Sequence, residues 1–331
     1  MAHLTRLGLQ IPSFTAASRS DDGPFDEVAA VATTAEGAGF DSLWVMDHFF
    51  QIPPVGRHHE PMFEAYTLLG GLAARTSRAR LGTMVTGVTY RNPALLAKQV
   101  TAIDVLSGGR AVLGIGAAWF EKEHEGLGFA FPPLSERFDR LEEALQICRA
   151  MFREDAPSFE GRYYRIQDAV NRPRPVQPGG PLILVGGGGE RRTLRLVAQY
   201  ADACNIFGDT QTVKHKLAVL DRHCEELGRD PATITKTRLG TLVIAPSEED
   251  AQRRLAEMAT STGQDENSLR AQLTIGGPDR VVEEAGAFFD AGLDGLVFNM
   301  PDVYDHEVLT LAGRTLSDAF GVRGNSSGRP E

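Results

Sequence analysis

Short, β-prone apolar runs alternate with segments of helical periodicity along almost the whole chain, and this alternation restricts the fold more than any single motif does. LGLQI (Leu7–Ile11) precedes a segment in which Phe25, Val28, Ala29 and Ala32 fall at i, i+3, i+4 and i+7, stopped by Gly37 and Gly39. SLWVM is followed by FEAYTLLGGLAART, and ARLGTMVTG by PALLAKQVTAIDVLS, with Pro93 in the first turn and Gly108-Gly109 as the stop. AVLGIGAA (Ala111–Ala118) precedes ERFDRLEEALQICRAMF, for which Ser135 is the expected N-cap. LILVGG (Leu182–Gly187), ACNIFG, RLGTLVIA (Arg238–Ala245) and GLVFN (Gly295–Asn299) follow, paired in turn with ERRTLRLVAQYA, VKHKLAVLDRHCEEL, EEDAQRRLAEMATS and EVLTLAGRTLSDAF.

Most of these strands lack apolar/polar alternation, as expected of parallel strands covered on both faces. Eight β/α units favour a closed (β/α)8 TIM barrel, class α/β, over an open doubly wound sheet. Two insertions interrupt the regularity. Residues 119–134, after strand four, read as a long aromatic loop; residues 153–180, between helix four and strand five, contain SFEGRYYRI, a small hairpin turning at Glu160-Gly161. The expected organisation is one barrel domain over residues 1–321 and a flexible polar tail over 322–331.

Composition narrows the partners. A net charge of −10 over 331 residues argues against a broad nucleic-acid surface. No secretory pattern opens the chain, and no run of about 18 apolar residues suggests a membrane span. Cys148, Cys204 and Cys224 are widely spaced and form neither a disulfide framework nor a zinc pattern, so a cytoplasmic setting is expected. No metal motif appears; adjacent His58-His59 suit a loop better than convergent ligands.

In a barrel, polar residues at strand C-termini converge on one mouth. LWVMDHFF places Asp47 and His48 there: a histidine able to move a proton near neutral pH, and an aspartate able to accept a hydrogen bond from a heterocycle, or else a loop cap beside a packed ring. MVTG (Met84–Gly87), GAAW (Gly116–Trp119) and Asn205 lie at other strand ends. VGGGGERR exposes backbone amides at the start of a helix, a place for phosphate, with Arg191 and Arg192 as added cations; a plain strand-to-helix turn is the alternative. His124 reads as a solvent or loop contact, His215 and His223 as surface residues, and Cys148 as core.

Taken in order, GFDSLWVMDHF, LGTMVTGVTYRNPALLAKQVTAIDVLSGGRAVLGIGAAW, PLILVGGGGERRTLRLVAQYADACN and DGLVFNMP resemble the luciferase-like monooxygenase superfamily, in its bacterial F420 (deazaflavin)-dependent oxidoreductase branch. The resemblance runs from about Leu7 to Phe320. It implies a (β/α)8 barrel with coenzyme F420 at the strand C-termini, its phosphate on Gly186, Gly187, Gly188 and Gly189, and its ring backed by a strand-three bulge with a cis peptide at Met84–Val85. Thr86, Ala117 and Ala118 would line the same cofactor site, Asp47 would contact the ring, and His48 matches a histidine proposed as acid/base in the sugar-phosphate dehydrogenase branch. That branch has a glutamate proton donor after strand four; here Trp119 stands there, and neither Glu121 nor Glu123 is placed at the reaction centre by the sequence.

The expected function is therefore hydride transfer between F420 and a small, apolar organic substrate, in a pocket drawn from Phe14, Phe49, Trp119 and Phe129. The alternatives are an FMN-dependent monooxygenase, a non-catalytic flavin or deazaflavin carrier, and an unrelated phosphate-binding barrel lyase or hydrolase. Similar proteins are commonly dimers, which makes a homodimer the expected assembly.

Overall fold

The computed structural model describes residues 4–21 and 23–321, so the expected tail at 322–331 lies outside the described residues. The strands are β1 (Leu7–Ile11), β2 (Ser42–Val45), β3 (Arg80–Thr83), β4 (Thr86–Gly87), β5 (Ala111–Gly116), β6 (Phe159–Glu160), β7 (Arg165–Ile166), β8 (Leu182–Gly186), β9 (Ala203–Ile206), β10 (Thr235–Ile244), β11 (Leu273–Gly276) and β12 (Gly295–Asn299). The helices are α1 (Pro24–Ala38), α2 (Ala65–Arg75), α3 (Pro93–Ser107), α4 (Glu121–Leu127), α5 (Leu134–Arg153), α6 (Thr193–Tyr200), α7 (Thr210–Glu226), α8 (Glu248–Thr262), α9 (Glu266–Arg270), α10 (Pro278–Asp290) and α11 (His306–Phe320).

The barrel closes. β1 pairs with β2, β2 with β3, β3 and β4 with β5, β5 with β8, β8 with β9, β9 with β10, β10 with β12 and β12 with β1, every ladder parallel. β3 and β4 are two halves of one barrel strand, broken at Met84–Val85, so eight staves close the ring. Burial on both faces explains the missing alternation. Trp44, Met84, Val112, Leu184, Ala203 and Val297 fill the lumen, whereas Leu43, Val45, Leu113, Ile183 and Val185 pack outward against the helices. Each Val, Leu, Ile or Met among them removed from water contributes about 1.5–3 kcal/mol before entropy is counted.

Local signals act as the sequence suggests at several ends. Gly39 ends α1 and Gly108 ends α3 in left-handed conformation, and Asn92 caps α3 through the Ala94 amide at 2.9 Å. Four readings change. The segment after β5 is not a continuous loop but contains α4. Helix α5 starts at Leu134 with Pro133 at the N-cap position, so Ser135 lies inside the first turn and caps nothing. Helix α6 starts at Thr193, leaving Arg191 and Arg192 in the turn before it.

Residues 263–294, to which the periodicity assigns no element, form α9, β11 and α10. β11 pairs with Thr241–Ile244 of β10, above the point where β9 stops contacting that strand at Arg238. It prolongs one wall of the mouth. The hairpin forms, with Phe159 opposite Ile166 and Glu160 opposite Arg165, but its turn spans residues 161–164 rather than Glu160-Gly161; the Glu143 carboxylate accepts from the amides of Arg162, Tyr163 and Tyr164 there.

Candidate active site at the barrel mouth

The break between β3 and β4 is built by its neighbours. Met84–Val85 is a cis peptide bond. The Met84 amide donates to Val45 O at 2.9 Å, its carbonyl accepts from Gln10 Nε2 at 3.1 Å, and Thr83 Oγ1 donates to Gly114 O at 2.8 Å. Glycine is required beside it: a Cβ at Gly114 would fall 1.8 Å from Thr83 O, and one at Gly186 2.8 Å from Val85 Cγ1. Gln10 is 1% exposed, a polar side chain in an apolar strand, and that is the only signal the sequence offers for it. Thr86 is fully buried and its hydroxyl meets Tyr66 Oη at 2.6 Å.

LWVMDHFF ends with its two polar residues in different environments. Asp47, 1% exposed, receives Arg91 Nη1 at 2.5 Å and Nη2 at 3.1 Å. The same guanidinium reaches Glu64 and lies over the Tyr66 ring, its carbon 4.7 Å from the centroid. Burial pushes the Asp47 carboxyl upward against the pull of Arg91. Its carboxylate is thus engaged in a buried ion pair with Arg91.

His48 turns the other way, with its imidazole edge-on to Trp119 and Phe120 at 5.8 and 6.0 Å between centroids. Its Nδ1 lies 2.6 Å from Glu123 Oε1. Helix α4 delivers that carboxylate. Gly126 has no Cβ where one would sit 2.6 Å from the Phe50 ring, so α4 packs directly on the end of LWVMDHFF. Glu123, one turn earlier, is then fully buried and accepts from the amides of Phe49 at 2.8 Å and Phe50 at 3.4 Å and from the Tyr90 hydroxyl. Burial alone would raise the Glu123 carboxyl, but His48, Tyr90 and the Phe49 amide outweigh it and hold it below the ordinary carboxylate value. Glu121, by contrast, is exposed. The sequence reading placed neither carboxylate; the missing information was α4.

His124 makes the loop contact that was one of its two expected roles and does not face solvent. It is fully buried, between Thr89 Oγ1 at 2.7 Å and Phe120 O at 2.8 Å, and supports the ring of Tyr90. Trp119 is 56% exposed on the rim. Ala118, at φ 62°, turns the chain out of β5 just before it, and the Ala117 carbonyl is held by Arg137 Nε at 3.1 Å. Phe49 packs on Tyr90 and Phe129, with centroids 5.2 and 5.5 Å apart. Phe14, expected in the same pocket, is 1% exposed and closed against Phe63, so it belongs to the core.

Across the mouth, Gly187 adopts φ 116° and donates its amide to Asn205 O at 3.0 Å. Gly188 and Gly189 then turn toward α6. Arg192 does not join them: it is bound to Asp139 at 2.5 Å and Ser135 O at 2.9 Å. Arg191 is exposed. The cation beside the glycines is Lys216 of α7, whose Nζ donates to Gly188 O at 2.6 Å; its distance in sequence hid it. The Asn205 side chain is tied to Thr237 at 3.0 Å. A cavity of about 630 Å³ opens between β9, β10, β11 and α10, lined among others by Phe207, Arg238, Thr241, Phe288 and Asn299. Burial lowers the Arg238 guanidinium to about 10, and its Nη1 has no protein partner.

Four further histidines stand apart from the mouth cluster. His58 and His59 are exposed on their loop, His215 is exposed on α7, and His223, expected at the surface, is mostly covered and bonds Glu190 O at 2.8 Å. Cys148 is core, as expected. Among the described residues no helix is long and apolar enough to cross a membrane.

The family model described as luciferase-like monooxygenase matches residues 5–286. An F420-dependent glucose-6-phosphate dehydrogenase of Amycolatopsis mediterranei is 30% identical over 324 residues, covering 89% of this chain and 94% of that protein. One of Kineococcus radiotolerans is 39% identical over 164 residues, 49% of this chain and 48% of that protein. The fold is similar to that of coenzyme F420-dependent tetrahydromethanopterin reductase from Methanopyrus kandleri, with TM-score 0.77 at 19% identity, covering 96% of this chain and 99% of that one. With a barrel broken at strand three, a glycine loop across its mouth and a family match over most of its length, the chain belongs to the luciferase-like monooxygenase family.

Proposed function

We propose that this chain is an F420-dependent oxidoreductase that moves hydride between the deazaflavin and a small organic substrate. One observation carries the reading: the Met84–Val85 ledge, held by Gln10, Val45 and the glycines of β5 and β8, lies in one mouth with a glycine loop and a buried-edge histidine. The names of the curated relatives support F420 as the cofactor.

The residues present fit such a group. When bound, F420 supplies two-electron hydride chemistry at C5 of its ring, which no side chain can provide. The bulge Met84–Thr86, with Ala117 and Ala118 beside it, would back the ring. The amides of Gly188 and Gly189, with Lys216 near them, would hold phosphate. Asp47, through its pair with Arg91, keeps the end of β2 fixed. His48 presents Nε2 for proton transfer to or from the substrate beside Trp119 and Phe120, and Phe49 and Phe129 would add to the apolar wall.

The substrate reading is a small molecule with an apolar part against those rings. Trp119, standing where the sugar-phosphate branch has its glutamate, argues against oxidation of a sugar phosphate by that route.

Native mass spectrometry with F420 and FMN offered together tests the cofactor, followed by a reduction screen of ketones and enones read by deazaflavin absorbance. Retention of F420 and loss of turnover in His48→Ala are expected. Tight FMN binding with oxygen consumption and no F420 affinity overturns the reading.

A further inference from the structure

We propose that Glu123 is a positioning residue that fixes His48 in its Nδ1–H tautomer and leaves Nε2 as the nitrogen that exchanges protons. The argument is a count of donors. Two of the groups on Glu123, the amides of Phe49 and Phe50, can only donate, and both face Oε2. On Oε1 the Tyr90 hydroxyl donates, because burial and the Glu123 carboxylate both push its phenol far above the ordinary value. The fourth group, His48 Nδ1 at 2.6 Å, meets an oxygen that has only lone pairs to offer. A neutral His48 satisfies that contact only by carrying its hydrogen on Nδ1.

The other ring nitrogen has no protein partner among the described residues. The rings of Trp119 and Phe120 stand nearly perpendicular to the imidazole and offer no acceptor. The remaining charged and titratable groups around the cluster are occupied: His124 with Thr89 and Phe120 O, and Arg91 with Asp47 and Glu64. Free imidazole has no such constraint, so the carboxylate selects both the tautomer and the direction in which the lone pair of Nε2 points. Trp119 removes an acid from strand four; Glu123, approaching His48 from behind, orients the base instead of replacing that acid.

Glu123→Gln tests this with almost no change of shape. The amide oxygen takes the Oε2 position, because only an acceptor can face the amides of Phe49 and Phe50. Its NH2 group then points at His48 Nδ1 and Tyr90 Oη, which forces Nδ1 to accept and moves the ring hydrogen to Nε2. Long-range 1H–15N spectra of the full-length, 15N-histidine-labelled protein, with His48 assigned by His48→Gln, read the tautomer directly at a pH where the ring is neutral. The expected result is Nδ1–H in the wild type and in Tyr90→Phe, and Nε2–H in Glu123→Gln. Nε2–H in the wild type overturns the proposal, whatever the fate of the variants, as does an unchanged Nδ1–H in folded Glu123→Gln.

The kinetic arm rests on the role of His48 proposed above. There Glu123→Gln is expected to lower kcat roughly 10²–10⁴-fold with KM nearly unchanged, the range of a misdirected general acid–base. A tautomer switch without a kcat loss would sink the catalytic role of His48 and leave the positioning assignment standing.

Discussion

Arg91 closes on Asp47 with two hydrogen bonds, Nη1 to Oδ2 at 2.5 Å and Nη2 to Oδ1 at 3.1 Å, while its side chain is only 7% exposed. A charge pair this buried is costly to break on one side, because the surviving charge has no water to return to. Arg91→Leu is expected to destabilise the protein by about 3–5 kcal/mol, and Asp47→Asn by a smaller amount because the amide still accepts one bond. Arg91→Leu combined with Asp47→Leu should recover part of that loss. Urea unfolding of these three variants and of Asp47→Leu measures it; additive losses in the double variant would show that the pair is not coupled.

Gly114 has a backbone oxygen where a side chain would begin. Gly114→Ala cannot be absorbed by a rotamer change, since the atom it meets is Thr83 O on the neighbouring stave. A destabilisation at or above the usual overpacking range of about 1–3 kcal/mol is expected, together with weakened F420 binding, because the ledge must shift. Thermal unfolding and cofactor titration read the two effects; a variant as stable as wild type would refute the close approach.

Lys216 is the one new cation assigned to the glycine loop. Lys216→Ala is expected to weaken F420 binding by about 10–100-fold, the worth of a charge-assisted hydrogen bond, and to flatten the salt dependence of binding. Arg192→Ala, by contrast, loses its contacts to Asp139 and Ser135 and should leave the dissociation constant almost unchanged. Equal effects of the two substitutions would reassign the site.

Acid stability should depend on Glu36. Its buried carboxylate accepts from the amides of Ser77, Arg78 and Ala79 at 2.6–3.1 Å, tying α1 to the segment before β3. Burial raises the group, but those amides outweigh it and hold it below the ordinary carboxylate value. A lowered folded pKa means that the stabilisation is fully present above the unfolded value and disappears as pH falls through the folded one. Glu36→Gln is expected to cost about 1.5–3 kcal/mol near neutral pH and less in acid, so the two stability curves converge as pH falls below about 4.5. Parallel curves would exclude the carboxylate as the source.

The periodicity of the chain alone determined the alternating barrel, because both the apolar run of a stave and the 3.6-residue stripe of a helix are local properties. The residues at the stave ends were legible for the same reason: a strand's C-terminus in a barrel is a mouth wherever it occurs, and Asp47, His48, Met84 and Gly186–Gly189 are all such ends. Residues 263–294 escaped, since β11 is four residues long and its ladder to β10 involves a partner about thirty residues earlier in sequence.

What the tertiary structure decided is which polar groups meet. His48 and Glu123 are 75 residues apart, Asp47 and Arg91 are 44, and Gly188 and Lys216 are 28. No local pattern encodes those distances; closure of the barrel and the packing of α4 on Phe50 do. That is why the sequence could name a histidine and an aspartate side by side, while only the fold assigned one to a buried arginine and the other to a carboxylate that sets its hydrogen.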